Sequence, residues 1–112
     1  MENSTITVGM SIKDTINARN SSTKLQSAPA QIRAKALSVA TDIDDETGNT
    51  RFVGYIVTED GTVYGTVSGT AIRTIRAAAE AVKNGELELP MDFGVMLKKS
   101  KSGREFIALS IL

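Results

Sequence analysis

RFVGYIVTEDGTVYGTVS (residues 51–68) contains two β-rich runs separated by Glu59-Asp60-Gly61. Asp-Gly is a strong signal for a two-residue hairpin, because both central positions of a type I′ turn need positive φ. That turn sets Glu59 opposite Thr62, Val57 opposite Tyr64 and Tyr55 opposite Thr66. One face then carries Phe52, Ile56, Val63 and Val67, and the other Arg51, Tyr55, Thr62, Tyr64 and Thr66. A slip of one residue would mix these sets, so the apolar and polar split predicts this pairing and makes the two tyrosines neighbours on the wetter face.

Working outward, residues 69–84 repeat apolar side chains at helical spacing, with Ile72, Ile75, Ala79 and Val82 on one stripe. Ser68 or Thr70 is placed to cap this helix, and Gly85 to supply the left-handed residue after it. Pro90 closes the connector 86–89. A last hairpin runs from 93–97 to 106–112 across the basic tip Lys98-Lys99-Ser100-Lys101-Ser102-Gly103-Arg104. Upstream, residues 31–41 alternate as a strand whose phase changes near Ala36–Leu37, the signature of a bulge. Residues 42–49 form an acidic turn into the next strand. A further N-terminal strand is expected over 5–12, with Ile6, Val8, Met10 and Ile12 on one face. Residues 17–30, rich in Asn, Ser and Ala with Pro29, read as a flexible loop.

Strand, strand, strand, helix, strand, strand is the order of an OB fold. The expected architecture is therefore an all-β, five-stranded OB-like Greek-key barrel with its helix between strands 3 and 4 and an extra strand ahead of it. A ferredoxin-like fold is set aside, since no second helix is read after the first strand. The 112 residues make one domain, with the N-terminal strand and loop in 1–30 and the barrel in 31–112.

Composition narrows the chemistry. The chain has no cysteine and no histidine, which removes disulfides, thiolate nucleophiles, Cys/His metal sites and His-based acid–base catalysis. Catalysis is not expected, nor is any cofactor or metal. Hydrophobic residues make up 41% and charged residues 23%, and no apolar run approaches the roughly 20 residues that span a bilayer. No secretory leader is read at MENSTITVGMSIKD, so an intracellular, cytoplasmic location is expected. Thirteen basic and thirteen acidic side chains cancel, so any affinity for a polyanion must come from where the charges lie.

Asp42, Asp44, Asp45 and Glu46 are the one candidate for a hard-metal loop. Their glycine comes a position late for an EF-hand, and Val53 stands where the bidentate glutamate belongs. Gly61, Gly65 and Gly69 match neither phosphate-binding fingerprint. Gly54 and Gly65 are read as letting the sheet curl, with Gly65 also leaving room beside Tyr64. The basic tip is more informative. Lys98, Lys99, Lys101 and Arg104 stand together, and Arg33, Lys35 and Arg51 are expected on strands that share their surface, a pattern suited to a phosphate-tracking groove. With two tyrosines, three phenylalanines and no tryptophan, aromatic rings are scarce. Tyr64, Tyr55 and Phe106 are all expected to point away from the core, where they would stack bases.

EDGTVYGTVSGTAIRTIRAAAEAVKNGELELP (59–90) and KKSKSGREFIALSIL (98–112) resemble the small single-stranded-DNA-binding proteins of protein-primed Bacillus podoviruses, the salasvirus type. Shared features are a D-G-x-hydrophobic-Tyr hairpin, an alanine-rich helix, and a Ser/Lys/Gly turn followed by Phe. The start MEN and the segment 32–43 are similar more loosely. The resemblance implies an OB-like fold and the coating of displaced strands during phage replication, with single-stranded DNA and replication proteins as partners. It also implies base stacking by tyrosines. Only Tyr64 falls on a family tyrosine, and Ala40 stands where another ring is expected, which shifts weight to Tyr55, Phe106 and the lysines. The alternative, from another class, is a protein-interaction module on the same scaffold.

Overall fold

The longest strand organises the molecule. In the computed structural model, which describes residues 5–112, the strand Gln31–Ile43 is thirteen residues long and takes partners on both edges. The MEN start lies outside the described residues. In chain order the elements are β1 (Ile6–Val8), α1 (Ile12–Ser21), β2 (Thr23–Lys24), β3 (Gln31–Ile43), β4 (Thr50–Thr58), β5 (Val63–Thr66), α2 (Gly69–Lys83), β6 (Met91–Lys99) and β7 (Glu105–Ile111). One edge of β3 is held by β4 over residues 34–43. The other edge pairs first with β6, through residues 31–34, and then with β1, at Leu37–Val39. The ladder shifts between Ala34 and Ala36, which puts the expected bulge at Lys35, slightly earlier than the phase change suggests.

Together the strands form a seven-stranded sheet in the order β2-β5-β4-β3-β6-β7, with β1 beside β3. The sheet curls into a half-barrel. Its five longer strands run β5-β4-β3-β6-β7 with α2 between β5 and β6, consistent with an OB-like fold. The count of seven exceeds the five or six strands expected.

The hollow of the curl is filled by Leu25, Ile32, Leu37, Val39, Ile56, Phe93, Ile107 and Leu109, closed by Ala71, Ile72, Ile75, Ala78 and Ala79 of α2. Gly54 lets the helix approach, since a Cβ there would meet Ile75 Cδ1 at 2.8 Å. The helix ends where the sequence signals: Ser68 stands at the N-cap position, although its side chain caps no amide, and Gly85 has φ +80°. Glu86 N donates to Ala81 O at 2.8 Å and Gly85 N to Val82 O at 3.1 Å, closing a Schellman turn.

Two expectations are corrected. The N-terminal strand stops at Val8, and the expected loop 17–30 is partly structured: α1 runs on through residues 17–21, and β2 takes Thr23–Lys24. Ser11 Oγ accepts from Asp14 N and Asp14 Oδ2 from Ser11 N, both at 3.2 Å, a capping box that nucleates α1. Ala18 and Leu25 are buried, so 13–30 is tied to the sheet at two points. The chain turns between β1 and α1 at Gly9, with φ +79°, where an added Cβ would lie 2.5 Å from the Lys35 carbonyl oxygen. Left-handed strain and backbone overlap act together there. Gly9→Ala is expected to lower stability by about 2–4 kcal/mol, read as a fall in the denaturant midpoint with the m-value retained.

The second correction concerns the central hairpin. Thr58 N donates to Thr62 O and Gly61 N to Thr58 O, both at 2.9 Å, so the loop is Glu59-Asp60-Gly61. Gly61 has φ +89°, and no non-glycine residue among those described has positive φ. This is a type I turn followed by a left-handed glycine, not type I′. The Asp60 carboxylate accepts from the Thr58 hydroxyl and from Thr62 N. Those hydrogen bonds, that from the Thr58 side chain foremost, hold its pKa below the ordinary carboxylate value. The odd loop length moves β5 by one residue: Val57 faces Val63, Ile56 faces Tyr64 and Tyr55 faces Gly65. Tyr64 therefore turns inward and Val63 outward, and the two tyrosines lie on opposite faces of the sheet.

Candidate nucleic-acid interface

β4 presents its residues as its alternation requires. Arg51, Val53, Tyr55 and Val57 face out, opposite Asp42, Ala40, Ser38 and Ala36 of β3. Tyr55, however, is only 2% exposed. It forms a small second cluster with Ala18 of α1, Ala40 and Val53, against which Val63 packs. The space above Gly65 is occupied by this arrangement: a Cβ there would lie 2.9 Å from Ser22 Oγ and 3.3 Å from Tyr55 Cε1. Gly65 thus makes room for α1's end and the Tyr55 ring, not for a base on Tyr64. The expectation that Tyr55 is an exposed platform is corrected by this burial.

Beside the cluster, a cleft of about 390 Å³ opens along β4 and β5, with Lys24, Gln26, Asp42, Arg51, Tyr55 and Val67 in its walls. Lys24 and Gln26 come from the segment read as loop, and sequence reasoning missed them. Their signal is visible only once β2 pairs parallel to β5, with Thr23 opposite Tyr64. Arg51 Nη1 stands 3.9 Å from Asp44 Oδ2, a loose pair across an exposed turn. Lys35, on the bulge, is exposed and lines a neighbouring hollow with Asp14 and Asn17 of α1.

Arg33 is placed differently from expectation. Its Nε lies 2.7 Å from Glu59 Oε1, and its Nη1 lies 3.2 Å from each oxygen of Asp92. Two carboxylates already neutralise it, and it ties β3 to the central hairpin and to β6. Tyr64 is half-buried against the main core. It shares a shallow pocket of about 220 Å³ with Pro29, Arg33, Glu59 and Asp60, so it covers an end of the curl while keeping part of its ring accessible.

The last hairpin carries one ring, Phe106, among its cations. Ile107 and Leu109 point inward, whereas Phe106 and Ala108 share the outer face with Lys98 and Met96, their partners across the ladder. Phe106 keeps part of its ring exposed, and Met96 is 58% exposed. The tip repeats the turn of the central hairpin: Ser100 N donates to Arg104 O at 2.8 Å, Gly103 N to Ser100 O at 2.9 Å, and Gly103 has φ +83°. Among the described residues, no ion pair engages Lys98, Lys99, Lys101 or Arg104. These four charges stand free on a projecting hairpin, beyond the start of β3. Arg51 lies opposite Asp42, near the other end of that strand. The cations therefore mark two ends of the half-barrel, not one compact groove.

No group of acidic side chains among the described residues is arranged to hold a metal ion. Asp44 instead shapes its own turn, accepting from Glu46 N through Oδ1 at 2.9 Å and from Gly48 N through its carbonyl at 2.7 Å. No helix among the described residues is long and apolar enough to cross a membrane.

A mostly-β half-barrel with free cations beside a partly exposed ring is an arrangement suited to binding a nucleic-acid strand. The family model described as phage single-stranded DNA-binding protein, of the phi29 type, matches residues 4–112, and the chain belongs to that family. No curated protein and no solved structure matches it.

Proposed function

We propose that this protein coats single-stranded DNA without strong sequence preference, as displaced strands are exposed during phage DNA replication in the host cytoplasm. In this reading it uses a five-stranded OB-type Greek-key barrel elaborated by β1, α1 and β2. The observation that carries the reading is the outer face of the last hairpin, where Phe106 lies across from Lys98 on a tip of unpaired cations. Lys98, Lys99, Lys101 and Arg104 neutralise phosphates and Phe106 stacks a base. Lys24, Lys35 and Arg51 track the backbone along the outer face of β3 to β5. Tyr64 offers a second, smaller platform. Tyr55 supports this surface from beneath, and Arg33 braces it. Neither flat rings nor phosphate contacts read base edges, which fits tolerance of sequence.

The test is a titration of the full chain with oligo-dT, oligo-dA and mixed-sequence single strands at several salt concentrations, against duplex as control. Affinities within about tenfold of one another among the single strands, and weakening of each as salt rises, are expected. Binding indifferent to salt, or tighter to duplex than to any single strand, overturns the proposal.

A further inference from the structure

A second cleft, of about 380 Å³, lies where β4 meets the start of α2. Arg51, Arg73 and Arg76 line it together with Phe52, Val67 and Gly69, and no carboxylate is among its lining residues. The Arg76 guanidinium carbon sits 4.9 Å from the centroid of the Phe52 ring. Stacking of this kind fixes the plane of the guanidinium and leaves its edge donors aimed sideways. Two of those donor atoms, Nε and Nη2, are buried with no hydrogen-bond partner among the described residues. Buried donors in native proteins are nearly always satisfied, so an unsatisfied pair in a cationic cleft marks where an acceptor from outside belongs.

The helix adds to the same field. Ser68, the N-cap of α2, makes no side-chain capping bond, and the first turn holds no acidic residue. Its leading amides therefore keep their positive end toward the cleft at Gly69. The two clefts also meet: Arg51 and Val67 form walls of both the Lys24 cleft and this one. Val67 is 57% exposed on that shared ridge. A strand lying in the first cleft reaches the second by crossing one arginine and one valine.

We infer that the cleft beside the start of α2 takes a backbone phosphate of bound single-stranded DNA, held by Arg51, Arg73 and Arg76, so that the strand leaves the sheet face and turns onto the helix side. The inference rests on the single-strand-binding reading above. It adds Arg73 and Arg76, which stand largely off the apolar stripe of Ile72, Ile75, Ala79 and Val82. Arg76 supplies a fork matched to phosphate oxygens, and Arg73, exposed at the rim, supplies charge.

The experiment compares the full chain with Arg73→Gln, Arg76→Gln and the double variant. Binding to a dT oligonucleotide of about sixteen residues is measured over a salt series, with thermal melting as the check on folding. Each phosphate contact on a single strand contributes about 0.7 to the salt slope. With one phosphate at stake, the double variant is expected to flatten the slope by about 0.7 and to weaken binding roughly eight-fold at about 50 mM salt. An unchanged slope overturns the inference. So does loss of binding to inorganic phosphate, or to a poly-glutamate peptide, while the DNA slope stays as in the wild type. If Arg76→Gln melts early because Phe52 loses its partner, Arg73→Gln decides alone, with a flattening of up to about 0.7 expected and none overturning the inference. Wild-type protein that ignores the oligonucleotide sinks the functional proposal, whereas wild-type binding with unaltered variant slopes sinks this inference only.

Discussion

Replacing Lys98, Lys99, Lys101 and Arg104 together by serine is expected to weaken binding to single-stranded DNA by about three to four orders of magnitude at about 50 mM salt. The expectation follows from counterion release. If each cation neutralises one phosphate, the slope of log affinity against log salt flattens by nearly 3, taking about 0.7 per contact. The same arithmetic shrinks the difference to less than about tenfold near 0.5 M, because little electrostatic binding remains to be lost. The variant should fold as before. All four residues are exposed, and no ion pair among the described residues engages them. Surface changes of this kind shift stability by about 0.5 kcal/mol or less. The turn itself is kept by backbone bonds between Ser100, Gly103 and Arg104, which the side-chain changes leave in place. A variant with normal melting and an unaltered salt slope would show that the tip is a solvated turn and that binding resides elsewhere.

Much of the framework was legible because several local signals agreed. The stripe of Ile72, Ile75, Ala79 and Val82, with Gly85 behind it, specifies α2 almost to the residue; the first three are buried and Val82 is half-buried. The phase change in residues 31–41 announces the bulge that lets β3 serve β4 on one edge and β6 on the other. The alternation of Phe106 to Leu109 sets the last strand, with Ile107 and Leu109 buried and Phe106 on the other face, but that Lys98 stands across from Phe106 comes only from the ladder register. The misreadings have equally local causes. Glu-Asp-Gly admits both a two-residue and a three-residue loop, and pattern alone does not separate them when Val and Tyr suit either face of β5. The Asp60 carboxylate decides, by accepting from Thr62 N and from the Thr58 hydroxyl and so drawing Thr58 into the turn. In α1, the Asn and Ser residues that read as loop are held by a capping box and by Ala18, whose partners come from β3 and β4. The Arg33 clasp joins residues far apart in sequence, Glu59 and Asp92, and no spacing rule reaches that far.

Tyr55→Ala is the sharpest test of the corrected register, and it is expected to destabilise the protein by about 3–5 kcal/mol, a large part of the stability of a domain this size. The ring is 2% exposed and sits between Ala18, Ala40 and Val53, with Gly65 kept bare beneath it. None of these neighbours is large enough to fill the void left behind, so the cavity persists and the cost stays high. For a chain of 112 residues this corresponds to a fall in Tm of roughly 10–20 °C. Tyr55→Phe keeps the packed ring and should retain most of the stability. The same comparison separates support from stacking. With Phe at 55, Tyr64 is the one tyrosine left in a chain without tryptophan, so any fluorescence change on adding oligo-dT reports the surroundings of Tyr64 alone. DNA affinity of Tyr55→Phe near that of the wild type is expected, since a buried ring has no face to offer a base. A Tyr55→Ala protein that melts like the wild type but binds DNA many-fold more weakly would reverse the assignment, returning Tyr55 to the binding surface and making its burial beneath α1 a state that DNA displaces.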